Sequence, residues 1–303
     1  MTSPDRRKRT GRLMRWATYA SVATAATLIV VKLVAWAMTG SVALLSTLID
    51  SLLDAAASFL NLLAVRHALQ PADREHRFGH GKAEPLAGLG QAAFIAGSGL
   101  FLVIEAAGRL YAPVPVVRGE IGIAVMVFAI VVTMGLVAFQ RYVVRHTDSV
   151  AISADSLHYA GDVMINGSVI LSLLMTMLLG WQFADPLFAI GIAVYLVYNA
   201  WNIGRQSLNL LMDRELPDQD RQRIKAICAS HPAVRAMHDL RTRSSGPDTF
   251  IQLHLEMDPT LTLKRAHDIA DQVEAEIRAA FPTAEVIIHE DPAGVPEARR
   301  TFG

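Results

Sequence analysis

The stretch Leu44–Val65, "LLSTLIDSLLDAAASFLNLLAV", is long and apolar enough to cross a bilayer, yet it carries Asp50 and Asp54 near its middle. At about 1.5 Å rise per residue, about 20 residues span a hydrocarbon core of about 30 Å. An aspartate at the centre of such a helix costs about 2.5–3.5 kcal/mol on insertion scales, so the pair is kept against about 5–7 kcal/mol. Four residues apart, the two side chains lie on one helical face and can point at one object. They either bond to neighbouring hydroxyls or to Lys32 in the preceding segment, or they hold a cation.

The rest of the composition agrees with a membrane protein. The chain has 303 residues, 52% hydrophobic and 18% charged, which is too apolar for an ordinary soluble domain. The long apolar runs fall in its first two thirds, with predicted spans near residues 15–38, 42–66, 84–109, 119–143, 150–178 and 185–211. "ADPLF" sets Asp185 as an N-cap and Pro186 at the first helical position of the sixth. Arg and Lys crowd the N-terminus, "RHALQPADREHRFGHGK" and "QRYVVRH", while "MTGS", "YAPVPVVRGE" and "GWQFAD" are poor in them. The positive-inside rule then predicts cytoplasmic N- and C-termini. The expected domains are residues 1–213, a six-helix transmembrane transport domain with a basic cytoplasmic N-terminus, and residues 214–303, a cytoplasmic metal-binding α+β domain. A net charge of zero argues for no nucleic-acid partner. The single Cys228 excludes a disulfide framework and a cysteine zinc cluster, so any metal must use His, Asp and Glu.

The fifth span, "VAISADSLHYAGDVMINGSVILSLLMTMLLG", repeats the i, i+4 spacing with His158 and Asp162. With Asp50 and Asp54 these give one nitrogen and three oxygen donors, suited to tetrahedral Zn²⁺ and tolerable to Fe²⁺, Cd²⁺ or Mn²⁺. Carboxylate-rich midplane ligands favour a site that loads and unloads over a static one. Imidazole titrates near about pH 6.5, so protons can compete with metal and serve as the counter-ion. Asp155 reads as a pore-mouth or capping group, and Asn61 and Asn166 as interhelical hydrogen bonders.

Outside the membrane, "QPADREHRFGHGKAEP" gathers Asp73, His76 and His80, with Gly79 and Gly81 free to bend the backbone around a metal. Lys82 and Asp213 are an expected interdomain pair, placed by location alone. After Pro217 the pattern is helix, strand, strand, helix, strand, an α+β layer. His289 and Asp291 share one face of a strand, and His254 lies on the polar face of "TFIQLHLEM". With His238 they suggest a metal cluster on the sheet. His267 could join from a helix or sit in the core; His67, His146 and His231 read as surface or interfacial residues. "HEDP" lacks the second His of HExxH, which removes the metalloprotease reading, and no catalytic residue or organic cofactor is expected.

Together "DSLLD", "HYAGD", "LQPADREHRFGHGKAE", "HDLRTRSSG", "IQLHLEMD" and "VIIHEDP" resemble the cation diffusion facilitator family over about residues 12–293, nearest to its bacterial zinc and ferrous-iron efflux branch. The resemblance implies six transmembrane helices, a cytoplasmic ferredoxin-like domain and a homodimer in the bacterial inner membrane that exchanges a divalent cation for protons. It also implies a transport site at Asp50, Asp54, His158 and Asp162, a loop site at Asp73, His76 and His80, and a binuclear cytoplasmic site at His238, His254, His267, His289 and Asp291. The competing expectation is a membrane-tethered metal sensor or scaffold without transport.

Overall fold

The computed structural model describes residues 3–40, 42–111, 120–179, 183–246 and 248–295. The predicted connections over 112–119 and 180–182 lie outside the described residues. Six long helices are present: α1 (Ser3–Thr39), α2 (Val42–Ala68), α3 (Ala83–Tyr111), α4 (Glu120–Thr147), α5 (Val150–Leu179) and α6 (Ala184–Leu211). Each holds an apolar run long enough to cross a membrane, within a few residues of the hydropathy-based expectation. At the start of α6 the helix begins at Ala184, two residues earlier than the capping signal suggested. Asp185 therefore lies in the first turn, where its Oδ1 accepts from Ser172 Oγ of α5 at 3.3 Å.

The chain forms two compact units, residues 10–208, and residues 209–303 grouped with residues 1–9. In the first, α5 packs against α2, α3 and α4. Met14 and Ala17 of α1, Val65 of α2, Val143 of α4, and Ala151 and Ile152 of α5 make one of its buried clusters. The outward surface is apolar: Phe101, Met177, Leu178 and Trp201 are all exposed, as lipid-facing side chains are. Three glycines set how closely α6 approaches its neighbours. A Cβ on Gly88 would stand 2.9 Å from Ser207 Oγ, one on Gly99 2.8 Å from Val197 Cγ2, and one on Gly161 3.0 Å from Leu196 Cδ2. Such small-residue contacts bring helix backbones together where no hydrophobic effect can press them.

The second unit runs α7 (Asp218–Ser230), β1 (Ala236–Ser245), β2 (Asp248–Met257), α8 (Leu263–Ala280) and β3 (Ala284–Pro292). Thr262 caps α8 by accepting from the Arg265 amide. The sheet order is β1-β2-β3, antiparallel between β1 and β2 and parallel between β2 and β3. That parallel pair follows from α8, since a strand returning through a helical crossover runs in the same direction. Relative to a complete βαββαβ ferredoxin-like core, the described residues hold one strand fewer, and β3 docks directly on β2. Alternation along β2 sends Ile251, Leu253, Leu255 and Met257 toward Ile224 and Cys228 of α7 and Ile269, Val273 and Ile277 of α8. The opposite face carries the polar set, and the register places His238 beside His254 and His254 beside His289.

Cys228 is fully buried in this core, and burial pushes its thiol up to about 11. At pH 8 the thiol should therefore stay protonated and shielded, reacting with a maleimide only as the unit opens. Leu253→Ala should cost the unit about 2–5 kcal/mol and raise the labelling rate in proportion to the opened population. Mass spectrometry of labelled protein over time reads both; rapid labelling of the folded wild type would contradict the burial.

Candidate metal centres

The costly acids of α2 meet α5. His158 Nε2 lies 3.0 Å from Asp54 Oδ1 and 4.0 Å from Asp162 Oδ2. Donor atoms of Asp54, His158 and Asp162 all fall within 4.8 Å of one another. Two carboxylates converging on one imidazole from two membrane helices can share a proton or hold a divalent cation. Asp50, one turn earlier on α2, is exposed and stands outside this trio; its charged neighbours include Asp54 and Lys32. Lys32 itself donates to Ser51 Oγ at 2.6 Å and to the Thr47 carbonyl at 3.0 Å.

Asp155 is not at a mouth. It is completely buried, and its carboxylate accepts hydrogen bonds from Ser21 of α1, from Gln91 of α3 at 3.0 Å and from Gln140 of α4 at 2.6 Å. Gln140 also donates to Ser21 Oγ at 2.8 Å. A second tie lies beside the trio: Ser58, one turn after Asp54, shares a 2.8 Å hydrogen bond with the hydroxyl of Tyr159, the residue after His158. Asn61 bonds across to the Ala151 carbonyl at 3.4 Å, as an interhelical role requires. Asn166 instead donates to the Asp162 carbonyl of its own helix at 2.8 Å.

The loop between α2 and α3 folds on Asp73. Its Oδ1 accepts from the amides of Glu75 at 2.9 Å and His76 at 2.6 Å, and the His76 amide bond is the main cause that holds this carboxyl below its ordinary range. Gly79 takes φ +77°, a left-handed turn that glycine adopts at low cost. His76 Nδ1 then lies 3.4 Å from Asp73 Oδ1 and His80 Nε2 3.4 Å from Asp73 Oδ2, and the three residues' donors again fall within 4.8 Å. His67 is exposed, as its surface or interfacial reading expects, and its ring also packs against that of His80, centroids 4.6 Å apart.

On the sheet, His238, His254 and His289 stand abreast, with centroids 5.0 Å and 4.6 Å apart. Asp291, nearly buried, sits among them. Its Oδ2 lies 2.8 Å from His254 Nδ1 and 3.5 Å from His238 Nε2, and its Oδ1 3.1 Å from His289 Nε2. One carboxylate between imidazoles on both oxygens is able to bridge two cations. His238, His254 and Asp291 are the subset whose donors all fall within 4.8 Å. His267 is exposed rather than in the core, 3.7 Å from Glu290 Oε1 and 3.6 Å from Asp271 Oδ2, apart from that subset. Asp213 pairs with Arg243 at 3.3 Å.

Sequence reading overlooked Glu256, 3.1 Å from His238 Nδ1, and Asp239, 3.8 Å from His254 Nε2. Glu256 shares the polar face of β2 with His254, a signal that alternation offered. Asp239 depends on a β-bulge after His238 and on φ +47°, which no pattern announces. Its carboxyl is held low chiefly by the hydrogen bond from Arg241.

These features define a multi-pass membrane protein with three groups of side chains that could hold a metal ion, between membrane helices, in a loop and on the sheet of the second unit. The family description "Cation efflux transmembrane domain" matches residues 18–212, and "Cation efflux protein, cytoplasmic domain" matches residues 216–293. The chain belongs to the cation efflux family. The cation-efflux pump FieF of Klebsiella pneumoniae is 50% identical over 293 residues, 96% of this chain and 97% of that protein. FieF of Salmonella paratyphi A is 51% identical over the same shares. A solved zinc-form structure of the zinc transporter CzrB is 31% identical, covering 28% of this chain and 98% of that one at a TM-score of 0.27.

Replacing Asp155 tests whether its hub holds the helices. Asp155→Leu leaves the donors of Ser21, Gln91 and Gln140 facing an apolar group, at about 1–3 kcal/mol each. Asp155→Asn keeps one acceptor oxygen and should lose less. Thermal unfolding in detergent should rank wild type above Asn above Leu; a Leu variant melting with the wild type would refute the role.

Proposed function

We propose that the chain exports a divalent metal cation from the cytoplasm, Zn²⁺ ahead of Fe²⁺, Cd²⁺ or Mn²⁺, in exchange for protons by alternating access. The observation that carries this reading is the convergence of Asp54, His158 and Asp162 inside two membrane helices. Asp50 supplies the fourth donor when metal binds. A nitrogen ligand favours Zn²⁺ over cations that prefer all-oxygen shells. The His158 nitrogen that faces Asp54 can carry a proton or a metal, not both, so loading one releases the other.

In this reading the protein is a homodimer in the bacterial inner membrane, with both termini cytoplasmic. The match of residues 216–293 to the family's cytoplasmic dimerisation domain supports the dimer. Asp73, His76 and His80 bind metal in the loop. His238, His254, His289 and Asp291, with His267 alongside, form the regulatory cytoplasmic site, whose donors are imidazoles and carboxylates as Zn²⁺ requires. The domain division falls at residues 213 and 214, and Lys82 interlocks with Asp213, for which Arg243 is the competing partner.

Purified protein in liposomes checks both halves. A pH gradient alone should drive Zn²⁺ flux, and Asp54→Ala should reduce flux to that of empty liposomes; flux indifferent to the gradient would reject proton exchange. A His254→Ala/His289→Ala double variant should keep flux at saturating metal but lose the dependence of rate on metal at the soluble face. Normal activation in that variant would reject the regulatory role.

A further inference from the structure

The chain leaves α2 directly after His67, whose carbonyl accepts from the Gln70 amide at 3.0 Å, and comes back through the loop to His80 at the start of α3. The His67 ring lies 4.6 Å from the His80 ring and inclined at 67° to it; on its other side the His76 ring lies 4.5 Å away. Two imidazoles on one tetrahedral Zn²⁺ hold their centroids about 5 Å apart, because each nitrogen sits about 2.0 Å from the metal. Both rings therefore lie near that spacing from His80, while the donor atoms already within 4.8 Å of one another are those of Asp73, His76 and His80, so the exposed His67 ring must turn to join them. His80 has a side chain only 4% exposed, with Nε2 3.4 Å from Asp73 Oδ2. Its second nitrogen, Nδ1, is buried with no hydrogen-bond partner, and a metal held beside Asp73 would take Nε2.

We propose that His67 is a fourth ligand of the loop site, converting Asp73, His76 and His80 into a closed shell of three nitrogens and one oxygen. The inference rests on the loop site put forward under the proposed function. Three protein ligands leave a coordination position open for water or exchange, whereas four close it. The loop is then a holding site with a preference for Zn²⁺ over oxygen-seeking cations. His67 lies in the last turn of the helix that carries Asp54, so metal held there ties the end of α2 to the loop and to the start of α3.

The test uses Co²⁺ as a spectroscopic probe on the full chain in detergent, in a background of Asp54→Ala, His254→Ala and His289→Ala that disables the other two clusters. His67→Ala and His67→Phe should each weaken Co²⁺ binding by at least about tenfold and shift its visible d–d bands, as water oxygen replaces a nitrogen. Phenylalanine preserves the ring-on-ring packing, so an unchanged affinity and spectrum in His67→Phe would overturn the inference. If Asp73→Ala and His80→Ala remove the bound Co²⁺ while both His67 variants retain it, the loop site stands with three ligands and only the fourth is wrong. If Asp73→Ala and His80→Ala change nothing, the loop site itself fails and the inference with it.

Discussion

A carboxylate inside a bilayer has no water to turn to, so the protein around it must supply donors or a cation. Helix α5 carries two such carboxylates, Asp155 and Asp162, with the imidazole of His158 between them at about one-turn intervals, and the partners of the three come from four other helices. Ser21 of α1, Gln91 of α3 and Gln140 of α4 converge on Asp155, and Asp54 of α2 meets His158. Rotating α5 by one residue, about 100°, or sliding it by a turn would break all of these at once. The six-helix arrangement is therefore specified by polar contacts more than by apolar packing, which lipid can imitate.

The two polar systems on α5 differ in kind. At Asp155 three neutral side chains supply donors to one buried carboxylate, and that balance is complete without any ion. Around His158, two carboxylates converge on a single imidazole, with side-chain exposures of 20% for Asp54 and 32% for Asp162 against the complete burial of Asp155. A cation or a proton improves the second arrangement and would disrupt the first. Structural and chemical roles on one helix are thus separated by three residues.

Much of this was legible in the sequence. Hydropathy gave the spans, the repeated i, i+4 spacing of Asp50/Asp54 and His158/Asp162 marked the membrane centre, and alternation in "TFIQLHLEM" sorted the core face of β2 from its polar face. What escaped depended on register and packing. The grouping of His238, His254, His289 and Asp291 on the sheet was expected, but the places of Glu256 and Asp239 beside it are set by strand pairing and the bulge after His238. Asp155 passed for a mouth residue because its partners, two glutamines and a serine, look unremarkable singly; a buried amide within an apolar span was the available clue. His67 is a surface residue as read, but its contact with His80 was out of reach, because only the loop's fold brings the two rings together. Asp50 had the right spacing, yet the structure gathers only Asp54, His158 and Asp162.

The contrast between the sheet cluster and the membrane trio bears on what each can do. Imidazole spacing on the sheet, 5.0 Å and 4.6 Å, follows the strand separation of about 4.8 Å that backbone hydrogen bonds enforce. Changing it would require breaking the ladder, so ligands mounted there keep their geometry whether or not metal is present. Asp54 and His158 sit on separate helices joined by side-chain contacts such as Ser58 to Tyr159. Helices can shift past one another by an ångström or so at the expense of a few such bonds, far less than unpairing a sheet. A metal bound on the sheet would meet a fixed frame, whereas one bound between α2 and α5 would meet a frame whose distances change when the helices move. A site that must bind on one side of a membrane and release on the other needs the second kind of frame.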